Sequence, residues 1–329
     1  MRRRDVLQVL AGAALAAPCG VAAQVTAKKF RLAALSAAGP GYMAATSPSV
    51  SVVIKALAER GYKLGQNLEF QPYGADMQVA RLAQLASDIT ASKFDAVIVA
   101  GYPAAAALKG TGVPTVVGSG VGDPVATGLV VSLAHPGGNV TGISDNATTL
   151  STKRLGLLKQ AVPGIGKVAM LWNKNDLGMT LRYKASADAA KSLGVTVQPL
   201  GVGEPDDFAD TFVAMDREPP DAILMVSDAL TLLNRKRVFD YASTHRLPAI
   251  YEADPYVRDG GLMSYGADLK ESYGRAASLI DRIFEGANPA DLPFEEPTRY
   301  LFVVNLKTAK SIGLEIPPTV LALADQVIE

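Results

Sequence analysis

Two α/β lobes, each a doubly wound parallel sheet of the Rossmann type, joined by a hinge of three chain crossings, are what this sequence predicts. Three observations predict it. Segments recur: Asp95-Ala96-Val97-Ile98-Val99-Ala100 returns as Asp221-Ala222-Ile223-Leu224-Met225-Val226, and Val113-Pro114-Thr115-Val116-Val117 as Leu247-Pro248-Ala249-Ile250-Tyr251. Leu68-Glu69-Phe70-Gln71-Pro72-Tyr73-Gly74 is echoed by Val195-Thr196-Val197-Gln198-Pro199-Leu200-Gly201. The spacing is nearly constant, 126 residues from Asp95 to Asp221, 127 from Gln71 to Gln198 and 134 from Pro114 to Pro248, as two similar units in tandem require. Second, short apolar runs alternate with helical patterns. Third, the chain continues past the second unit with a helix, a connector and a strand. A tandem duplication does not need them, but a chain that recrosses between lobes does.

The elements follow in order. Phe30 to Leu35 reads as a strand, Ser49 to Arg60 as a helix stopped at Gly61, and Asn67 to Tyr73 as a second strand. Ala75 to Ser92 carries Val79, Leu82, Leu85, Ala86 and Ile89 at helical spacing, and a strand from Ala96 to Ala100 comes next. A short helix Pro103 to Lys109 and strands Pro114 to Gly118 and Val140 to Ser144 complete the first unit. The second begins near Leu150 with a helix that ends before Pro163-Gly164. Strand Val168 to Trp172, helix Thr180 to Leu193, strand Val195 to Leu200, helix Pro205 to Met215 and strand Ala222 to Val226 follow. Helix Leu232 to His245 and strands Ala249 to Tyr251 and Leu262 to Tyr265 finish it. The strands are short and apolar, as parallel strands covered on both faces are. Last come a helix Leu269 to Glu285, a proline-rich connector Pro289 to Pro297, a strand Tyr300 to Asn305 and terminal helices. The helix completes the first lobe and the strand the second, which divides the chain into 24–145 with 266–298 and 146–265 with 299–329.

Composition narrows the function. The 329 residues are 49% hydrophobic and 19% charged, with 32 basic and 32 acidic side chains. That is ordinary globular protein with length for two cores. No polybasic run occurs beyond residue 4, so the electrostatic footprint of a nucleic-acid binder is missing. Arg2-Arg3-Arg4, the apolar stretch Val9 to Ala17 and the small residues Val21-Ala22-Ala23 form an export signal cleaved near Ala23, too short for a membrane span. The arginines fit a twin-arginine signal or an arginine-rich general secretory one. Cys19, the single cysteine, lies inside this segment behind Pro18, which departs from the small residue a lipidation site has before its cysteine. The mature, periplasmic product is then cysteine-free, without disulfides or thiol catalysis.

Open α/β sheets bind ligands at the carboxyl ends of their strands, and this rule nominates the candidate site. In the first lobe the ends are Ser36, Gly101-Tyr102-Pro103 and Gly120 to Asp123; in the second, Asn173, Ser227-Asp228, Glu252 and Ser264-Tyr265. Gly101-Tyr102-Pro103 opens a helix whose free N–H groups can hold a carboxylate, helped by the Ser36 hydroxyl; the plain alternative is an ordinary turn with proline in the first helical turn. Asp123 and Asp228 suit a ligand ammonium, or simply cap local structure. Tyr42, Tyr102 and Tyr265 can offer stacking area, and Asn173 a polar contact or an Asx turn. His135 and His245 are far apart, which gives no metal site. The glycines of Gly118 to Asp123 lack dinucleotide spacing, and no G-x-S-x-G elbow places a nucleophile. No cofactor is expected.

Four stretches carry a family resemblance: Gly120-Val121-Gly122-Asp123-Pro124-Val125-Ala126-Thr127-Gly128-Leu129-Val130, Pro136-Gly137-Gly138-Asn139-Val140-Thr141-Gly142, Gly260-Gly261-Leu262-Met263-Ser264-Tyr265-Gly266 and Val304-Asn305-Leu306-Lys307-Thr308-Ala309-Lys310. With them the whole chain resembles substrate-binding proteins of ABC transporters with the type I periplasmic-binding fold, in the branch that includes tryptophan- and phenylalanine-binding members. Where many relatives carry Gly-Thr-Pro, this chain has Gly101-Tyr102-Pro103. The resemblance implies a monomeric receptor, not an enzyme, that closes around an amino acid or aromatic acid and delivers it to an inner-membrane ABC permease. A sensor feeding a membrane kinase, or an α/β hydrolase using the same cleft, are the alternatives.

Overall fold

The computed structural model describes residues 28–329; the export segment, Cys19 included, lies outside them. In the first lobe β1 (Phe30–Ser36), α1 (Pro48–Glu59), β2 (Leu68–Gly74), α2 (Leu82–Ala91), β3 (Ala96–Ala100), α3 (Tyr102–Leu108), β4 (Thr115–Ser119) and β5 (Val140–Gly142) alternate. The sheet runs β2-β1-β3-β4-β5, every pair parallel. Side chains alternate across it: Leu32, Ala34, Ile98 and Val116 pack under α1, while Ala33, Leu35, Val97 and Val117 pack on the side of α2 and α3. Both faces are covered, which is why these strands read as unbroken apolar runs.

After β5 the chain enters α4 (Ala147–Ala161) and builds β6 (Lys167–Asn173), α5 (Leu177–Ser192), β7 (Thr196–Val202), α6 (Asp207–Arg217), β8 (Ala222–Met225), α7 (Ala229–Leu233), α8 (Arg235–Thr244), β9 (Ala249–Tyr251), α9 (Asp254–Arg258) and β10 (Met263–Ala267). It returns to the first lobe as α10 (Leu269–Phe284), then to the second as β11 (Tyr300–Asn305), α11 (Leu306–Ser311), α12 (Pro318–Leu321) and β12 (Gln326–Ile328). The second sheet runs β12-β11-β10-β9-β8-β6-β7. Tyr273, Ala276, Ile280 and Phe284 of α10 are buried among Leu32, Val50 and Leu57 of the first lobe. The crossings lie side by side: Ser144 N–H donates to the Glu295 carbonyl (2.7 Å), Glu295 N–H to Gly142 (2.8 Å), and Asp268 N–H to Arg299 (3.0 Å).

Four expectations are corrected. The helix expected from Ala75 starts only at Leu82. Asp76 and Met77 take left-handed backbone angles (φ 50° and 64°), and their N–H groups donate to Ala38 and Ala37, tying the loop to the end of β1. The helix expected from Leu232 to His245 breaks at Asn234, whose side chain donates to the Leu230 carbonyl at 2.9 Å. β11 pairs antiparallel with β10, so the second sheet is mixed. The chain's last residues form the edge strand β12 instead of a helix. Asp325 fixes it, its N–H donating to the Phe302 carbonyl (2.8 Å) and its carboxylate accepting from Phe302 N–H (2.7 Å).

Candidate functional site

The carboxyl ends of β3 and β4 face those of β6, β8 and β9 across a cavity of 130 Å³. The lobes touch at its edge. A Cβ on Gly178, at the start of α5, would sit 2.7 Å from the Val121 carbonyl oxygen, and one on Gly122 would sit 3.0 Å from the Gly178 carbonyl oxygen. Glycine at both positions lets these backbones meet. Met77, carried by the left-handed loop of the first lobe, reaches over the cavity and packs against the second-lobe cluster that contains Leu230 and Tyr256.

Buried ions brace the second-lobe wall. Glu252, at the end of β9, holds Arg154 of α4 through Oε1 (2.7 Å) and Arg182 of α5 through Oε2 (2.7 Å), and also accepts from Ser227 N–H (2.9 Å). Arg182 reaches on to Asp145 in the first crossing, and Arg154 Nε donates to the Tyr265 carbonyl at 2.7 Å. Side chains of Arg154, Arg182 and Glu252 are 3 to 5% exposed. Burial opposes ionisation of Glu252, but the two guanidiniums outweigh it and hold its carboxyl below the usual range. Asp145 is pushed up by burial, against the pull of Arg182.

Two further carboxylates face the cavity without an ion pair. Asp228 caps α7, accepting from Thr231 N–H (2.8 Å) and, through its other oxygen, from Asn173 Nδ2 (2.6 Å); its amide donates to Thr231 Oγ1 (2.9 Å). Asp176 caps α5 by accepting from Met179 N–H (3.2 Å) and is 2% exposed. That cap starts α5 at Leu177, a turn ahead of the expected Thr180. Burial raises both carboxyls, and for Asp176 the neighbouring Asp228 charge adds to it, bringing its pKa to about 7. The sign follows. A folded-state pKa above the unfolded value of roughly 3.9 means that the folded protein binds the extra proton, so stability falls as pH rises from about 4 to 7. An ammonium prefers the ionised form. Affinity for a small primary ammonium ligand, measured by calorimetry, is therefore expected to rise roughly five- to tenfold from about pH 6 to 8; a flat profile would remove Asp176 from the site.

Of the residues nominated from sequence, Tyr42, Gly101, Pro103, Gly120, Asn173, Ser227, Asp228 and Glu252 line the cavity. The others do not. Ser36 is buried under the loop that follows β1 (1% exposed) with its hydroxyl unpaired. Tyr102 packs on the face of the sheet that carries α2. Asp123 is exposed and caps a turn, accepting from Val125 and Ala126 N–H (2.9 and 3.0 Å). The Tyr265 ring lies under the Lys153 ammonium (4.8 Å) beside Tyr300, and contributes its backbone, through Arg154, instead of a stacking face. The turn expected to cradle a carboxylate is partly occupied: Gly101 and Tyr102 N–H donate to the Ser119 and Gly120 carbonyls (3.0 and 3.1 Å). Sequence reasoning missed Asp145, Arg154, Asp176, Arg182 and Tyr256, which also line the cavity. Met77, Val79, Leu232 and Pro255 give it an apolar wall. Among the described residues no group of three or more His, Cys, Asp or Glu side chains is arranged to hold a metal, and no helix is long and apolar enough to cross a membrane.

Comparison with known proteins agrees with this architecture. Residues 44–328 match the family described as ABC transporter substrate binding protein. The chain is 26% identical over 263 residues, 80% of its length and 75% of the other's, to a tyrosine-binding protein of Clostridioides difficile (strain R20291). Among solved structures it is similar to an ABC domain in complex with L-Trp from Streptococcus pneumonia, at 26% identity and a TM-score of 0.81, covering 92% of this chain and 100% of that one. It also superposes on a conserved domain protein from Vibrio cholerae at a TM-score of 0.84 and 24% identity, covering 91% of this chain and 100% of the other.

Proposed function

Because this chain belongs to the ABC transporter substrate-binding proteins, we propose that it is the periplasmic receptor of an ABC importer. It takes a small amine with an apolar or aromatic body into the cleft, closes, and presents the closed form to an inner-membrane permease. It works as an exported monomer and performs no chemistry. The observation that carries this reading is the cavity between the lobes, where the uncompensated carboxylates Asp176 and Asp228 stand beside an apolar wall with Tyr42 and Tyr256. An ammonium supplies the missing charge, and an aromatic body covers the wall. The moving bodies are 24–145 with 266–298 and 146–265 with 299–329. A ligand that touches both prefers the closed state, and only that difference in affinity shifts the equilibrium.

L-Tyrosine and L-tryptophan, after the relatives' ligands, are the first probes. Small-angle scattering of the mature protein is expected to show a smaller radius of gyration at saturation with the probe that binds. Gly178→Ala, which sets a methyl 2.7 Å from the Val121 oxygen, is expected to suppress that compaction and weaken binding about tenfold, or roughly 1.4 kcal/mol, with little change in the melting temperature of the ligand-free protein. An unchanged radius in the wild type at saturation rejects hinge closure.

A further inference from the structure

Sulfur is unevenly distributed in this chain, and its distribution singles out one residue. The sequence holds eight methionines and one cysteine, of which Met1 and Cys19 belong to the export segment. Met43, Met170, Met179, Met215, Met225 and Met263 are 0% exposed. Among the described residues that leaves Met77, half-buried, as the one sulfur within reach of solvent. From a loop of the first lobe it packs against the second-lobe cluster that holds Leu230, Tyr251 and Tyr256.

The backbone sets it there against local preference. Asp76 and Met77 are consecutive left-handed residues (φ 50° and 64°), a conformation in which Cβ crowds the following carbonyl oxygen. Hydrogen bonds on both sides keep the loop in this shape. Asp76 and Met77 N–H donate to the Ala38 and Ala37 carbonyls (3.3 and 2.8 Å), Gln78 N–H donates to the Ala75 carbonyl (2.9 Å), and Arg81 Nη1 donates to the Asp76 carboxylate at 2.6 Å. Strain retained by its surroundings in this way points Met77 at the other lobe, and the contact it makes exists only while the lobes meet.

An unbranched thioether suits an adaptable apolar contact, and its sulfur is open to two-electron oxidants. We propose that Met77 is a modification site: hydrogen peroxide, or an oxidant of the same class, converts it to the sulfoxide, and the sulfoxide releases the contact between the lobes. In that step the peroxide O–O bond breaks, one oxygen passes to Sδ, which is oxidised by two electrons, and the other leaves as water. A thiol-dependent sulfoxide reductase reverses it, two thiols becoming a disulfide while the sulfoxide oxygen leaves as water. The S=O dipole is hydrated when the lobes stand apart. To rejoin the cluster it must give up that water beside aliphatic and ring carbon, where the Tyr256 hydroxyl is already paired with Thr231 Oγ1 (3.4 Å). Oxidation therefore favours separated lobes, and a ligand that needs the closed form loses affinity. Only this loss of affinity rests on the receptor reading; the modification and the release of the contact do not.

With graded hydrogen peroxide and peptide mass mapping, the mature protein is expected to gain its first oxygen at Met77, at least tenfold faster than at any buried methionine. Hydrogen exchange of the ligand-free oxidised protein is expected to quicken in 229–233 and 254–258, the segments of α7 and α9 that carry Leu230 and Tyr256. Peroxide-treated Met77→Leu, which keeps an apolar side chain without the sulfur, is expected to show no such change. Calorimetry with L-tryptophan and L-tyrosine is expected to give at least fivefold weaker binding after oxidation, restored by the reductase, and no response to peroxide in Met77→Leu. Faster oxidation at another methionine, unchanged exchange or unchanged affinity in the oxidised protein, or an equal response to peroxide in Met77→Leu overturns the proposal. If neither amino acid binds the untreated protein, the receptor reading loses these two solutes, while mapping and exchange, which need no ligand, still decide the fate of Met77.

Discussion

Glu252→Ala is expected to destabilise the protein by about 3–5 kcal/mol, the range for removing one partner of a buried ion pair. Glu252 is shared by two arginines whose side chains are 3% and 5% exposed. Its loss strands the Arg154 guanidinium with one backbone carbonyl and leaves Arg182 with Asp145 alone. Neither can swing to water without opening the packing of α4 and α5. Urea denaturation read by circular dichroism measures the effect; a loss under about 1 kcal/mol would mean that the network is solvated and the wall is not braced this way. Replacing Arg154, Arg182 and Glu252 together by leucine or methionine is expected to recover much of the loss, since the penalty lies in the orphaned charges. The pH dependence has a fixed sign. Because the folded-state carboxyl of Glu252 titrates below its unfolded value, its contribution is present above about pH 4.3 and is lost as pH falls through the lower folded value.

Asp228→Asn is expected to weaken amine binding by about 2–4 kcal/mol, a factor of roughly 30 to 1,000, while stability changes by no more than about 1 kcal/mol. The separation is possible because asparagine caps a helix as well as aspartate, so the bond from Thr231 N–H is kept while the charge and the bond from Asn173 Nδ2 go. Alanine would confuse the two roles. Calorimetry with an amine that the wild type binds, alongside a thermal melt, reads both quantities, and equal affinity in mutant and wild type rejects Asp228 as the ammonium partner.

What could be read from sequence follows a physical division. Strand ends were legible: Asn173, Asp228 and Glu252 stand where β6, β8 and β9 run out, and the rule for open sheets finds them without coordinates. The helix residues of the same site were not. Arg182 lies in Leu181-Arg182-Tyr183-Lys184, the composition of an exposed helix face, and its burial depends on an acid 70 positions away. Arg154 and Asp176 are hidden for the same reason, as their partners are set by how helices lie over the sheet. Tyr256 displaced Tyr102 and Tyr265 as the aromatic wall because the side on which a ring falls depends on the pleat and on short α9, which carries no periodic signal in five residues. The duplicated strands and the return of α10 to the first lobe were visible as pattern. The antiparallel sense of β11 was not, since a connector of that length permits either direction.

The interleaving of the chain has a consequence for biogenesis. The first lobe keeps a gap under its sheet until α10 has left the ribosome, and in the second β10 is paired on one side only, with β9, until residues 300–305 have followed. A nascent polypeptide therefore holds two half-built bodies nearly to the end of synthesis, and neither can be cut out as a continuous stretch that folds alone. Expression fragments stopping near residue 266 should be substrates for chaperones and proteases.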